Sequence, residues 1–175
     1  MMETKYNPDI HRRKSLRLAH YDYSQQGMYF ITICCHNREC LFGKIENGEV
    51  QLNELGKKAW QCWQDIPKFY PQVKLHDFVV MPNHIHGIIE ITHQIQTQCD
   101  TQKQVIRGTS QTIGAMVRGF KAGVTSWARQ HTSYDVIWQR NYYEHIIRNE
   151  QSYLYVVEYI RNNPLSWEEA QFWEM

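Results

Sequence analysis

The residues with the clearest chemical potential are His84 and His86, which lie two positions apart inside the apolar, β-branched segment 79–89. Side chains of a β-strand alternate between its two faces, so both imidazoles are predicted to point the same way while Ile85 points to the other face. A pair of neutral imidazoles is a suitable donor set for a divalent metal ion. The strand alone also fits another interpretation, in which the histidines form a hydrogen-bonded pair inside the core.

A further candidate lies near the C-terminal end, where apolar residues recur at helical spacing over residues 150–162 and Pro164 is expected to end the helix. Tyr159 falls at the edge of the apolar stripe of this helix, and Asn163 lies four residues on, along the same side. A tyrosine beside a carboxamide can face a metal site if the helix packs next to the histidine strand. Otherwise Tyr159 packs with its hydroxyl group in water.

The composition is that of a cytoplasmic globular protein. The 175 residues suffice for one domain with its own core, and hydrophobic and charged residues make up 42% and 21% of the chain. No apolar run approaches the ~18 residues that cross a bilayer, so no membrane partner is expected. The five cysteines are odd in number and lack paired C-x-x-C spacing, which favours reduced thiols over a disulfide framework.

The net charge of +1 conceals an uneven distribution along the chain. Residues 1–20 carry five basic and two acidic side chains, and residues 101–148 carry seven basic and two acidic ones. The segments 39–100 and 149–175 are acidic overall. If the two basic segments share a face, that face would attract a polyanion such as a nucleic acid. The alternative is that all these charges belong to ordinary solvated surfaces.

The elements that must position the candidate residues are predicted from periodicity, caps and turn signals. Strands are expected at 28–36, 75–81, 84–91 and 142–147, a hairpin at 45–52, and helices at 54–66, 110–129 and 150–162. This order predicts an α+β protein of ferredoxin-like type, in which helices pack on one face of an antiparallel sheet. Residues 1–20 are expected to form a basic N-terminal arm, and the Gln-rich segment 93–107 an exposed loop.

Two motifs in order resemble those of a known family. His84-Ile85-His86 matches the signature of the HUH nucleases, and the segment from Tyr159 to Pro164 (YIRNNP) is similar to the tyrosine helix of their single-tyrosine branch. Further stretches resemble the REP-associated tyrosine transposases of that branch, namely 11–14 (HRRK), 21–24 (YDYS), 37–38 (NR), 41–43 (LFG), 78–87, 119–121 (GFK) and 138–145 (WQRNYYEH). The resemblance covers about residues 11–170 except the Gln-rich loop, and it makes 21–175 the expected catalytic domain.

The resemblance implies a metal-dependent cleavage and rejoining of single-stranded DNA. Tyr159 would be the nucleophile that forms a 5′-phosphotyrosine intermediate, and His84 and His86 would bind Mg²⁺ or Mn²⁺. In the family a Gln or Asn four residues after the tyrosine commonly supplies a third ligand, and Asn163 occupies that place. Glu90 is the rival third ligand, since it lies on the histidine face of an unbroken strand.

The resemblance also implies hairpin DNA, from palindromes like those of REP elements, as the substrate. The residues expected to contact its phosphates are Arg12, Arg13, Lys14, Arg17, Arg118, Lys121 and Arg140. The protein would act as a monomer or a homodimer, in the cytoplasm and associated with the nucleoid.

Alternatives to this assignment stay open at the sequence level. The chain could be a hairpin-binding module without catalysis, or a metal-dependent phosphodiesterase in which water is the nucleophile and Tyr159 is structural. Tyr142 and Tyr143 are rival nucleophiles, although packing in the core explains them more simply. His145 is expected to pack or to contact phosphate rather than to bind metal.

Overall fold

The fold is taken from a computed structural model, which describes residues 22–93 and 111–172, with side chains in the last helix described as far as Trp167. The predicted basic arm and all but the first residue of the predicted loop 93–107 lie outside these ranges. The strands are β1 (Gly27–Cys34), β2 (Gly43–Glu46), β3 (Glu49–Leu52), β4 (Val73–Val80), β5 (His84–Ile91) and β6 (Tyr143–Ile147). The helices are α1 (Glu54–Gln64), α2 (Ile66–Phe69), α3 (Ile113–His131) and α4 (Glu150–Phe172).

The main sheet contains four strands in the order β4-β5-β1-β6, and every neighbouring pair is antiparallel. Along the chain, α1 lies between β1 and β4, and α3 lies between β5 and β6. This order of strands and helices is the predicted ferredoxin-like arrangement. The hairpin β2-β3 forms a separate ribbon, and its turn residues Asn47 and Gly48 adopt the positive φ angles that a two-residue hairpin turn requires. The prediction of an α+β fold is therefore confirmed.

Capping side chains and a proline mark the starts of α1, α2 and α3. The side chain of Asn53 accepts a hydrogen bond from the backbone N–H of Gly56 at 2.9 Å, so it caps α1 as predicted. Pro67 does not simply end the helical region, because it occupies the first turn of the short helix α2, where its missing N–H is tolerated. Thr112 caps α3 in the same way as Asn53 caps α1.

Helices cover both faces of the sheet, so the expectation that they lie on one face is wrong for α4. The larger core joins α1 and α3 to the β1 face that carries Tyr29, Ile31 and Ile33. A smaller core joins α4 to the opposite face through Ile88 and Ile160, among others. The physical reason is that β1 is apolar on both faces, and Met28 and Phe30 of β1 together with Ile88 of β5 form an apolar patch on the second face that must also be covered. The even-numbered residues of β5, which include the histidine pair, face α4.

The helix α4 does not end at Pro164 as expected but continues to Phe172. A proline inside a helix removes one backbone hydrogen bond and costs about 3 kcal/mol. In the turn that contains the proline, the hydroxyl group of Ser166 donates to the carbonyl oxygens of Asn162 at 3.3 Å and Asn163 at 3.2 Å. Leu165 packs so closely on the hairpin that a Cβ atom at Gly48 would lie 2.8 Å from its Cδ2 atom. Tertiary contact therefore maintains the helix beyond the proline.

No helix within the described ranges is long and apolar enough to cross a lipid bilayer.

Candidate active site

The histidine pair lies on β5, an inner strand of the sheet, where both neighbours restrict its position. Across the β1–β5 ladder His84 is paired with Cys34 and His86 with Thr32. The two imidazole rings lie on the same face, with their centroids 4.4 Å apart. The strand thus places both rings side by side, as the alternation of side chains predicted.

Hydrogen bonds orient each imidazole so that its Nε2 atom is left for another partner. The Nδ1 atom of His84 lies 2.6 Å from the Oδ1 atom of Asn83, an oxygen that only accepts, so Nδ1 carries the proton and donates. The Nδ1 atom of His86 lies 2.8 Å from the hydroxyl oxygen of Thr32, which can accept in the same way. In that arrangement both Nε2 atoms carry lone pairs, and these are the atoms that bind metals.

Burial keeps both histidines neutral. His86 is 5% exposed, and desolvation, followed by the neighbouring His84, lowers its pKa to about 3. Desolvation also lowers the pKa of His84 to about 4, with the carboxamide of Asn163 opposing the shift and the charge of Arg38 adding to it. A group with so low a pKa accepts protons poorly at neutral pH, so neither imidazole suits the role of general base. Neutral imidazoles are, in contrast, the form that binds a metal ion.

One buried nitrogen supports the interpretation of a metal site. The Nε2 atom of His84 is buried and makes no hydrogen bond of normal length and angle with any described residue, although the carboxamide of Asn163 is close enough to act on the ring. An unpartnered buried nitrogen is destabilising, and a divalent cation would satisfy its lone pair. Within the described ranges no three His, Cys, Asp or Glu side chains are grouped so that they could hold a metal ion. Any third protein ligand beside the two histidines is therefore of another type, and the buried carboxamide of Asn163, which interacts with His84, fits that requirement.

Tyr159 faces the histidine pair from α4. Its hydroxyl group lies 3.3 Å from the Nε2 atom of His86 and can donate to it. Its ring lies 5.2 Å from the imidazole of His86 and meets the edge of Phe30 at 6.0 Å. The hydrogen bond holds the hydroxyl group in place. The residue is 44% exposed, so a substrate can still reach it. The structure thus brings together His84, His86, Tyr159 and Asn163.

Glu90 lies on the histidine face of β5 as expected, but another residue engages its carboxylate. The Oε2 atom of Glu90 is 2.7 Å from the Nε2 atom of His76. Four residues of extended strand separate Glu90 from His86, a distance of about 13 Å. The structure therefore places Glu90 away from the residues that surround Tyr159.

Of the two rival tyrosines, Tyr142 precedes β6 and Tyr143 is its first residue, and their side chains point to opposite sides of the sheet. Tyr142 packs against the larger core, as expected. Tyr143 is paired with Thr32 and is 50% exposed, so its ring lies on the histidine face and is not a core residue. His145 is paired with Phe30 and lies on the same face. Tyr143 is therefore a natural control residue for experiments on Tyr159.

Basic side chains gather near the end of β1 at which His84 is paired. The charges of Arg38 and Lys121 both act on the thiol of Cys34, the residue opposite His84, and oppose the burial that raises its pKa. The ammonium group of Lys121 donates to the carbonyl oxygens of Gln139, at 2.9 Å, and Asn141. Arg140, between those two carbonyls, is exposed, as is Arg118 one helical turn before Lys121. Arg12, Arg13, Lys14 and Arg17 lie outside the described residues.

One known protein is related to this chain along nearly its whole length. The chain is 57% identical to an uncharacterized protein of Haemophilus influenzae over 178 residues, which cover 98% of this chain and 99% of that protein. The chain belongs to the same family as that protein. No family model matches the sequence.

Among solved structures, a REP-associated tyrosine transposase bound to a REP hairpin has a similar fold, with a TM-score of 0.61 and 20% identity. The match covers 86% of this chain and 73% of that one. The chain therefore has the transposase-like fold that the sequence motifs implied.

Reasoning from sequence missed several residues around the site. Thr32 and Phe30 contact His86 from the neighbouring strand, with the Phe30 ring stacked at 5.3 Å, and only the strand pairing reveals them. Trp167 stacks on His84 at 6.1 Å and was missed because the helix was expected to end at Pro164. Arg38 belongs to the Asn37-Arg38 motif that resembles the transposase family, but nothing in the sequence places it near His84.

Proposed function

We propose that this protein cleaves and rejoins single-stranded DNA at hairpins formed by palindromic sequences, through a 5′-phosphotyrosine intermediate on Tyr159. The observation that carries the proposal is the approach of the Tyr159 hydroxyl group to within 3.3 Å of His86, beside the buried, unpartnered nitrogen of His84. The neighbour in fold is described as a tyrosine transposase bound to a REP hairpin, which supports the choice of a DNA hairpin as the substrate class.

The chemistry follows from the type of nucleophile. The phenol loses its proton and its oxygen attacks the phosphorus atom, the bond from phosphorus to the 3′-oxygen breaks, and that oxygen takes up a proton and leaves as a 3′-hydroxyl group. The phosphotyrosine bond conserves the energy of the phosphodiester, so a 3′-hydroxyl group can attack it and rejoin the strand without ATP. A water molecule is not needed for either step, and the product is a rearranged strand rather than a hydrolysed one.

His84, His86 and Asn163 would hold a Mg²⁺ or Mn²⁺ ion, with imidazole ligands favouring Mn²⁺. Such an ion supplies charge stabilisation for the non-bridging and leaving oxygens of the phosphate. We favour Asn163 over Glu90 as the third ligand because His76 already engages the Glu90 carboxylate. Before a cation takes the Nε2 lone pair of His86, that nitrogen accepts from the Tyr159 hydroxyl group, and this contact holds the nucleophile beside the residues that would bind the ion.

The basic residues near β1 would guide the single strand to this site. Arg38, Arg118 and Arg140 are exposed and would contact phosphates, while Lys121 would act mainly through the loop carbonyls that it binds. Arg12, Arg13, Lys14 and Arg17 would contact the hairpin itself. Because these contacts are electrostatic, affinity should fall steeply with salt concentration.

The experiment is an adduct assay. Purified protein is incubated with Mn²⁺ or Mg²⁺ and end-labelled single-stranded hairpins from palindromes flanking its own gene, and a denaturation-resistant protein–DNA adduct is sought. We expect a metal-dependent adduct that is lost in Tyr159→Phe and retained in Tyr143→Phe. Binding without an adduct under all conditions would indicate a hairpin-binding module without catalysis. Cleavage that survives Tyr159→Phe would indicate water as the nucleophile.

A further inference from the structure

The strand β4 is irregular at the point where it faces α4. Leu75 is paired with Ile89 and Phe78 with Gly87, so His76 and Asp77 together oppose the single residue Ile88. In a regular strand two consecutive side chains point to opposite faces, but a bulge of this kind turns both toward one side. The bulge therefore gives α4 two neighbouring polar partners on the same face.

Both bulge residues contact α4. The Nδ1 atom of His76 lies 3.2 Å from the hydroxyl oxygen of Tyr153, and its Nε2 atom lies 2.7 Å from Glu90, which orients the ring. The Nε atom of Arg161 donates to the Oδ1 atom of Asp77 at 2.6 Å. Tyr153 and Arg161 are eight residues apart, about 12 Å along the helix axis. Tyr159 lies between these two attachment points.

Apart from the contact of Tyr159 with His86 itself, the packing between the two attachment points is apolar and does not define where α4 sits. Val156, Val157 and Ile160 pack on Ile88 and Ile147. Apolar contacts are not directional, and packed helices can shift by part of a turn against a neighbouring surface. A shift of that kind would move the Tyr159 hydroxyl group away from His86. The polar contacts at the bulge are directional and oppose such a shift.

We propose that His76 and Asp77 are positioning residues, which fix the register of α4 on the sheet and thereby hold Tyr159 against the histidine pair. The inference rests on the proposed function for its consequence in catalysis, but the register itself can be measured independently. The energetics favour this role over a purely stabilising one. The Arg161 side chain is 69% exposed in its ion pair with Asp77, and exposed ion pairs contribute little to stability.

The test is reversal of the ion pair. Asp77→Arg and Arg161→Asp are made singly and together, with 3-fluorotyrosine introduced at position 159 for 19F NMR. The shift of this label depends on the rings of Phe30 and His86, so it reports the register of α4 without DNA or metal. We expect each single variant to move the 19F resonance, and the double variant, in which the pair is restored with reversed charges, to return it toward the wild-type position.

The catalytic readout is the rate of adduct formation at saturating hairpin DNA. A displacement of about 1 Å can cost about a hundredfold in rate, so we expect losses of at least about tenfold in the single variants and recovery in the double variant. DNA affinity is measured separately, because both substitutions change the local charge. Reversal of the exposed pair between Glu54 and Lys57, 2.7 Å apart on α1, is the matched control and should leave the resonance and the rate unchanged.

Tyr153→Phe tests the other attachment point, since it removes the hydroxyl group bonded to His76 and keeps the ring. It should move the same resonance. An unchanged 19F resonance in all single variants, or a double variant no closer to wild type than the singles, would overturn the inference. If wild-type protein forms no adduct, the proposed function fails while the 19F result still decides whether the bulge sets the register.

Discussion

Replacing Thr32 by valine should weaken metal binding at the histidine pair while the fold persists. The two side chains have nearly the same shape, so the substitution removes little except the hydroxyl group that lies 2.8 Å from the Nδ1 atom of His86. With Thr32 present, Nδ1 can carry the proton and donate it to the hydroxyl oxygen, which leaves the Nε2 lone pair for a cation. A valine side chain offers no acceptor, so the imidazole avoids an unpartnered N–H by moving the proton to Nε2.

The magnitude follows from the burial of the ring. His86 is 5% exposed, so water cannot replace the lost acceptor. A buried donor without a partner costs about 1–3 kcal/mol, and binding a cation at Nε2 would require that unfavourable form. Because about 1.4 kcal/mol corresponds to a tenfold change in affinity, the expected loss is about 5- to 150-fold. This range agrees with the losses of roughly 10- to 100-fold that are typical when a residue supporting a metal ligand is replaced.

Isothermal titration with Mn²⁺ measures this affinity, and the rate of adduct formation at limiting Mn²⁺ gives a second readout. Thr32→Ser keeps the hydroxyl group and is the matched control, so it should bind Mn²⁺ nearly as wild type does. Saturating Mn²⁺ should restore most of the adduct rate in Thr32→Val. Equal Mn²⁺ affinity in Thr32→Val and wild type would refute the argument that Thr32 sets the tautomer of His86.

Three other predictions address the surroundings of the site. Burial lowers the pKa of Lys121 from 10.5 to about 8, so between pH 8 and 10.5 the unfolded chain holds a proton that the folded chain has lost. The free energy of unfolding of the wild type should therefore rise with pH over this range relative to that of Lys121→Met. Denaturant unfolding at several pH values measures this, and parallel pH profiles for the two proteins would contradict it. Gly87→Ala would place a Cβ atom 2.4 Å from the Trp63 ring and should destabilise the fold by about 1–3 kcal/mol in thermal or denaturant unfolding, whereas Gly119→Ala, whose nearest contact is at 3.8 Å, should not destabilise it. Arg140→Gln should weaken binding to all hairpins alike and reduce the slope of log affinity against log salt by about 1, and a base-specific effect would argue against a phosphate contact.

Local signals account for most of the fold that could be predicted. The alternation of side chains in β5, the Asn-Gly turn, and the Asn53 cap depend on neighbouring residues, so the sequence expresses them directly. The bounds of β5 were predicted as observed, from His84 to Ile91. The helix α4 was predicted to end at Pro164 because the local cost of an internal proline is clear from sequence, whereas the distant contacts of Leu165 and Trp167 are not.

Sequence periodicity was enough to predict that His84 and His86 share a face, that Tyr159 and Asn163 share a side of one helix, and that the strands and helices alternate in a ferredoxin-like order. These are consequences of the periods of the strand and the helix. The packing of the folded chain revealed that α4 covers the histidine face, that Tyr159 contacts His86, and that His76 contacts Glu90. Packing between elements far apart in the chain depends on shape, and no single segment contains that information.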